Sequence, residues 1–312
     1  MTETERKFDT PVAFIIFNRP KKTAQVFERI KQVEPSELYV IADGPRTEVP
    51  SDESACAEAR DVVAEVDWDC DVHRDYAETN RGCFERIYTG IDWVFNTASE
   101  AIILEDDCLP HPDFFFFCQR LLDEYRTDER VMDIGGSNPL GTWKDNQQDY
   151  HFSYTGMLWG WATWRSAWEK YDPDMSLWEQ EEAKKRVRDV LADDEMFRYA
   201  TRVYQRTYEG KKDTWDYQWG FARHINSGMS VVPARNLVTN IGYGENATHT
   251  TESDNPKGGV ESRGIDFPIE IRDIVAVDRT YDQKYHKFRR SIWDAYRPLS
   301  YLRRLYYSVA ED

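Results

Sequence analysis

The chain has 312 residues, 40% hydrophobic and 14% aromatic, which supplies a packed core for one large domain or two small ones and excludes global disorder. With 57 acidic against 40 basic residues the formal net charge is -17, which argues against general affinity for nucleic acid. The five cysteines (Cys56, Cys70, Cys83, Cys108 and Cys118) are odd in number and form no CxxC pair, so neither a disulfide framework nor a zinc site is indicated. A reduced, cytoplasmic compartment fits this usage.

Met1 to Asp9 is polar and charged, unlike a secretory signal, and no apolar run approaches the ~20 residues that span a membrane. Pro11 to Phe17 is continuously apolar and is predicted to be a strand of a parallel sheet covered on both faces. Asn18-Arg19-Pro20 then turns the chain, and Val26, Phe27, Ile30 and Val33 form one stripe of the helix that follows. Leu38 to Ala42 reads as a second buried strand, ended by Asp43-Gly44-Pro45. A helix over about Asp52 to Val66 leads to a short strand around Val72. The next helix carries Phe84, Ile87, Ile91, Val94 and Phe95 on one face and runs into a strand at Ala101. This alternation predicts an α/β fold with a mixed, mostly parallel sheet and right-handed crossovers that put helices on both faces.

Ala101-Ile102-Ile103-Leu104 is followed at once by Glu105-Asp106-Asp107. An aliphatic strand that delivers three carboxylates to its open end crowds like charges unless a cation neutralises them. With no neighbouring His or Cys ligand, the chemistry suits a hard ion, Mg2+ or Mn2+, that takes its remaining ligands from water and substrate phosphates. The alternative is a solvated acidic loop in an acid-rich chain. Ligands in such sheets bind outside the carboxyl ends of the strands. Asn18 and Arg19, Asp43 and Gly44, and Glu105 to Asp107 are therefore expected around one crevice. Neither GxGxxG nor GxxxxGK[ST] occurs there.

Asp113 to Tyr125 reads as a helix with Phe114, Phe117, Leu121 and Tyr125 inward. Most of the eleven tryptophans fall between residues 140 and 220. Trp164, Trp168 and Tyr171 have helical spacing and are expected to pack the core. Trp159 and Trp161 flank Gly160, where backbone can approach a ligand closely. Aromatic faces near carboxylates are what sugar rings bind. Thr214 is placed to cap a helix whose first turn holds Trp215 and Asp216, with Trp215 and Trp219 sharing a face that could wall an acceptor site. From Lys287 to Tyr307, arginines alternate with Ile292, Trp293, Leu299 and Tyr301. That stretch reads either as a membrane-surface element or as a core-packed helix with its arginines outward.

Five features in order, PVAFIIFNRP, VIADGP, NRGCFERIYTGIDWVF, ILEDDCLPHPDFF and GMLWGW followed by Thr214-Trp215-Asp216, give the chain its resemblance to nucleotide-sugar glycosyltransferases of the GT-A fold. The inverting N-acetylglucosaminyltransferase I type is the nearest likeness. The resemblance implies a glycosyltransferase domain over residues 8–245, divided into a nucleotide-binding half (8–135) and an acceptor-binding half (136–245). Residues 246–312 are then a C-terminal loop and basic amphipathic helical extension. It implies that Arg19 contacts the nucleotide diphosphate, Asp43 hydrogen-bonds a uracil, and Asn80 and Arg81 lie near the nucleotide. Asp106 would face ribose or metal waters, Asp107 would ligate Mn2+ or Mg2+, and Asp216 would deprotonate the acceptor. His249 is a further candidate for the diphosphate. The partners expected are a UDP-sugar and a glycan or lipid-linked saccharide acceptor, with the protein peripheral on the inner face of the cell membrane if residues 287–307 anchor it. The alternatives are a sugar nucleotidyltransferase, which would normally carry a Gly-rich basic loop after the first strand, and a non-catalytic scaffold that binds nucleotide or glycan.

Overall fold

The computed structural model describes residues 8–242 and 259–291. Strand β1 (Val12–Ile16), helix α1 (Pro20–Lys31), β2 (Glu37–Ala42), α2 (Ser51–Val62), β3 (Asp71–Tyr76), α3 (Gly82–Phe95) and β4 (Glu100–Glu105) follow the expected alternation. Then come β5 (Cys108–Pro110), α4 (Asp113–Tyr125), β6 (Val131–Gly135), β7 (Tyr150–Ser153) and β8 (Trp161–Trp164). The rest comprises α5 (Arg165–Trp168), α6 (Glu181–Leu191), α7 (Asp194–Tyr208), α8 (Asp216–Ile225), β9 (Met229–Pro233), β10 (Val238–Asn240) and a helix over 279–291, here α9.

Eight strands form one sheet in the order β3-β2-β1-β4-β8-β6-β9-β7, and β5 pairs with β10 apart from it. β3, β2, β1 and β4 are mutually parallel, as are β6 and β9, whereas β8 and β7 run antiparallel to their neighbours. The fold is thus the mixed, mostly parallel α/β sheet that the alternation predicts. β1 is apolar throughout and β4 is apolar between its terminal glutamates, because both faces are covered. On one face Phe14 stacks on Phe27 of α1, with ring centroids 6.4 Å apart. On the other, α3 lies so close that a Cβ on Gly90 would sit 2.6 Å from Ile41 Cγ2.

Three local expectations need correction. α2 stops at Val62, not Val66, because Val63 turns the chain by donating its N–H to Arg60 O. That turn lets Trp68 Nε1 reach Pro35 O at 2.9 Å. Trp164 is not one turn of helix from Trp168. It ends β8, whose antiparallel pairing with β4 and β6 overrides the helical spacing, and its indole donates to Leu122 O of α4. Trp219 does not wall a site, being fully buried against Trp161 and Trp168 and donating to Asp133 Oδ2 at 2.8 Å. A second cluster, Trp178, Val187, Leu191, Met196, Tyr204 and Phe221, joins α6 and α7 to α8. No helix among the described residues is long and apolar enough to cross a membrane.

Candidate active site

Parallel pairing of β1 with β4 sets their carboxyl ends side by side, so the turn after β1 meets the acids after β4. Arg19 Nη1 lies 2.9 Å from Asp106 Oδ1 and 2.8 Å from Asp107 Oδ2. Burial works against the Arg19 charge, but Asp106 and Asp107 prevail and raise its pKa. Asp106 is buried and its Oδ2 accepts the Phe17 N–H at 3.2 Å, so it braces the Arg19 turn from beneath. Burial pushes Asp106 up to about 6 despite Arg19. Burial, followed by the charges of Asp107, Asp106 and Asp216, pushes Glu105 up to about 8. One guanidinium is therefore too little positive charge for this cluster.

A cleft of about 840 Å³ opens over these groups, and its lining includes Arg19, Glu105, Asp107, Trp159 and Asp216. Residues read from distant parts of the sequence thus come together. Asp216 opens α8, and its carboxylate takes a hydrogen bond from the Thr214 hydroxyl. This corrects the expected cap: Thr214 serves the Asp216 side chain and not a backbone N–H, because the helix begins at Asp216 with Trp215 as its N-cap. Burial raises the Asp216 pKa, while Thr214 and the amides of the first helical turn oppose the rise. Trp215 is buried, stacks on Trp161 and lines the same cleft.

The other expected residues sit elsewhere. Asp43 Oδ1 accepts the N–H groups of Gly44 (2.8 Å) and Arg81 (2.9 Å), and Oδ2 accepts Asn80 Nδ2 at 2.9 Å. This buried brace closes the end of β2 on the start of α3, outside the cleft lining. Asn18 Nδ2 donates to Asp52 Oδ1 at 2.7 Å, which ties the β1 turn to α2. Gly160 adopts a φ of 62°, but its close approach is to protein: a Cβ there would sit 2.8 Å from Val238 Cγ2. His249 lies outside the described residues.

The cleft also recruits side chains to which the sequence reading gave no site role, among them Cys83, Tyr154, Tyr199, Lys212 and Asp213, together with Arg289. Asp213 Oδ1 accepts the Phe84 N–H at 2.9 Å and so caps α3 from the loop that delivers Asp216. Arg289 belongs to the basic stretch read as a membrane element or outward helix, yet it faces the cleft. Only residues 287–291 of that stretch are described. No local pattern signals these roles, because each depends on packing between distant segments.

Among the described residues no three His, Cys, Asp or Glu side chains converge as a metal cage. Glu105 and Asp107 nevertheless offer oxygen donors to the cleft, and the raised Glu105 pKa, due first to burial, also carries the charges of Asp107, Asp106 and Asp216 that a divalent cation would offset. A Cβ on Gly242 would lie 2.3 Å from Asp107 Oδ2, so glycine there leaves that carboxylate in its present position. Such a donor set fits Mg2+ or Mn2+ held by one or two carboxylates with its shell completed by phosphate and water.

No family model matches the sequence, and no curated protein is significantly similar to it. Among solved structures, apo UDP-glucose pyrophosphorylase is similar at a TM-score of 0.38 and 7% identity, covering 74% of this chain and 93% of that one. UDP-glucose pyrophosphorylase complexed with UDP-glucose follows at a TM-score of 0.31 and 9% identity, covering 52% and 78%. Mouse xyloside xylosyltransferase 1, in its apo form, gives a TM-score of 0.32 at 9% identity, covering 70% and 82%. Likeness this distant carries no argument about function.

Proposed function

We propose that the chain is a metal-dependent, inverting glycosyltransferase, of the N-acetylglucosaminyltransferase I kind. It would move a sugar from a UDP-sugar to a hydroxyl of a glycan or lipid-linked saccharide. Residues 8–135 then form the nucleotide half, 136–245 the acceptor half and 246–312 an extension. The observation that carries this reading is the presence of Asp216 in the same cleft as Arg19 and Asp107 but on a different segment. Inversion requires a base on the side of the sugar opposite the departing diphosphate, hence acids from two sources.

In this reading Arg19 exchanges part of its contact with Asp107 for the diphosphate and neutralises charge as the leaving group departs. Asp107 holds Mn2+ or Mg2+, which when bound supplies further charge neutralisation at the diphosphate. Asp216 accepts the proton of the attacking hydroxyl. Its burial raises its basicity, and the Thr214 hydroxyl fixes its orientation. In this reading the Asp43, Asn80 and Arg81 brace, outside the cleft lining, serves the uracil end by holding the close of β2 against the start of α3.

The test is release of free UDP from UDP-sugars, measured with and without saccharide acceptors and with and without EDTA. UDP release that requires both acceptor and divalent ion supports the reading. Pyrophosphate release from UTP and a sugar 1-phosphate identifies a nucleotidyltransferase instead. Nucleotide binding without turnover of any kind leaves a binding protein. Either of these outcomes overturns the proposal.

A further inference from the structure

The cleft continues past Asp216 into a basic and aromatic end that the transfer chemistry does not use. Tyr217, next to Asp216, is held neutral by burial and by the adjacent Tyr199 hydroxyl. Lys212 Nζ stands 4.9 Å from the Tyr217 ring centroid, and Arg289 Cζ lies 3.6 Å from that of Tyr199. Tyr285 borders the same guanidinium at 5.9 Å. Tyr199 of α7, Lys212 of the loop before α8, Tyr217 of α8, and Tyr285 and Arg289 of α9 all line the cleft.

Charge makes this end unusual. Acidic residues outnumber basic ones by 57 to 40, so a cation without an acidic partner runs against the composition of the chain. Among the described residues, Arg289 has no carboxylate within ion-pair distance. The one hydrogen bond it donates there goes to His286 Nδ1 at 3.2 Å. Stacking on Tyr199 fixes the plane of the guanidinium at little entropic cost and leaves edge N–H groups to recognise an oxyanion in the plane. Lys212 likewise makes no ion pair among the described residues, although its charge helps hold the Asp216 pKa down and Asp213 beside it lines the same cleft. The opposite end, with Glu105 and Asp107, repels an anion unless a cation intervenes.

We propose that Arg289 and Lys212, set on Tyr199 and Tyr217, form an acceptor subsite that binds an anionic group, a carboxylate or a phosphate, while the acceptor's sugar ring lies toward Asp216. The subsite rests on the glycosyltransferase reading only for the claim that the anion belongs to the acceptor. The binding itself stands on the cation pair. An acceptor of this class is a saccharide carrying a uronate carboxylate or a phosphoester, and a neutral glycan would leave the fork of Arg289 unused.

Calorimetric titration of the full chain with methyl β-glucuronide, glucose 6-phosphate and methyl β-glucoside tests the inference and separates the two anion sources. One or both anionic probes should bind more tightly than the neutral glucoside. Arg289→Gln should weaken that binding by about tenfold, the loss of one charge-assisted contact, with Arg289→Lys intermediate. Asp107→Asn should leave it in place while weakening UDP binding in Mn2+. Thermal unfolding of each variant checks that the fold survives. Equal affinity for the three probes, no binding of either anion, or anion binding that is lost in Asp107→Asn and kept in Arg289→Gln overturns the subsite. Anion binding through Arg289 in a protein that never binds UDP sustains the subsite and overturns the glycosyltransferase reading instead.

Discussion

At the scale of single residues, a carboxylate that is to accept a proton has to be ionised yet poorly hydrated. Asp216 suits the proposed role, with burial raising its pKa and Thr214 and the helix N-terminus restraining the rise. Asp216→Asn keeps the shape and removes the proton acceptor. Turnover should fall by roughly 10²-fold or more while UDP-sugar affinity changes little, and steady-state kinetics beside donor titration separate the two effects. Retained turnover, or a product with the donor's anomeric configuration, would remove Asp216 from the role. Asp107 makes the complementary case. One carboxylate without a cage binds a divalent ion weakly until phosphate oxygens complete the shell. Asp107→Ala should therefore abolish the Mn2+-dependent part of UDP binding, and EDTA should do the same to the wild type. Identical UDP affinity with and without EDTA would sink this assignment.

At the scale of elements, the cleft is held by long-range ties more than by its own strands. Asp213 caps α3 from the loop before α8, and α9 locks the segment after β7 through Asp282. The buried Asp282 carboxylate accepts from the Ser153 hydroxyl at 2.5 Å, the Thr155 hydroxyl at 3.1 Å and the Tyr154 N–H at 3.3 Å. Tyr154 to Trp159 then line the cleft. Asp282→Ala removes the acceptor of three partly buried donors, of which the Ser153 and Thr155 hydroxyls are left to donate only to each other. A loss of roughly 2 kcal/mol in unfolding free energy is expected, read from the urea midpoint. Because those residues form a wall of the cleft, the variant's KM for acceptor should rise more than its kcat falls. Unchanged stability and unchanged KM would show that α9 is not a structural part of the site.

At the scale of the whole molecule, buried titratable groups oppose one another with pH. Burial lowers His151 to about 3 and His224 to about 4, so both stay neutral in the fold. Neither ring nitrogen of His151 has a hydrogen-bond partner among the described residues. An unfolded histidine titrates near 6.5. Each histidine's stabilising contribution is therefore complete above that pH and lost as pH falls toward the folded value. Glu105 and Asp106 have raised pKa values, so the native state holds their protons more tightly and gains stability as pH falls through the same region. The wild-type curve sums these opposing slopes, and only a variant isolates one group. His151→Phe should gain on the wild type in melting temperature progressively from pH 7 to pH 4. A difference that stays constant with pH would show that His151 does not stay neutral in the fold.

The apolar runs of β1, β2 and β4, the stripe of α1 and the span of α4 are legible in the sequence because local pattern alone decides whether a segment needs cover on one face or two. The order of alternation with helices then dictates a largely parallel sheet, and parallel strand ends gather Arg19 with Glu105 and Asp107. Where backbone pairing competes with side-chain spacing, pattern misleads: Trp164 keeps helical spacing to Trp168 yet lies in a strand hydrogen-bonded on both edges. The antiparallel insertion of β8 between β4 and β6, the inward turn of Asp106 and the closure of Asp43 by Asn80 and Arg81 follow from contacts between segments far apart in the chain. The arrival of Arg289 at the cleft has the same origin. Local sequence determines which faces must be buried and which ends of strands carry acids. The tertiary structure alone decides what each charge meets, because a charge finds its partner only after distant segments have paid the entropy of coming together.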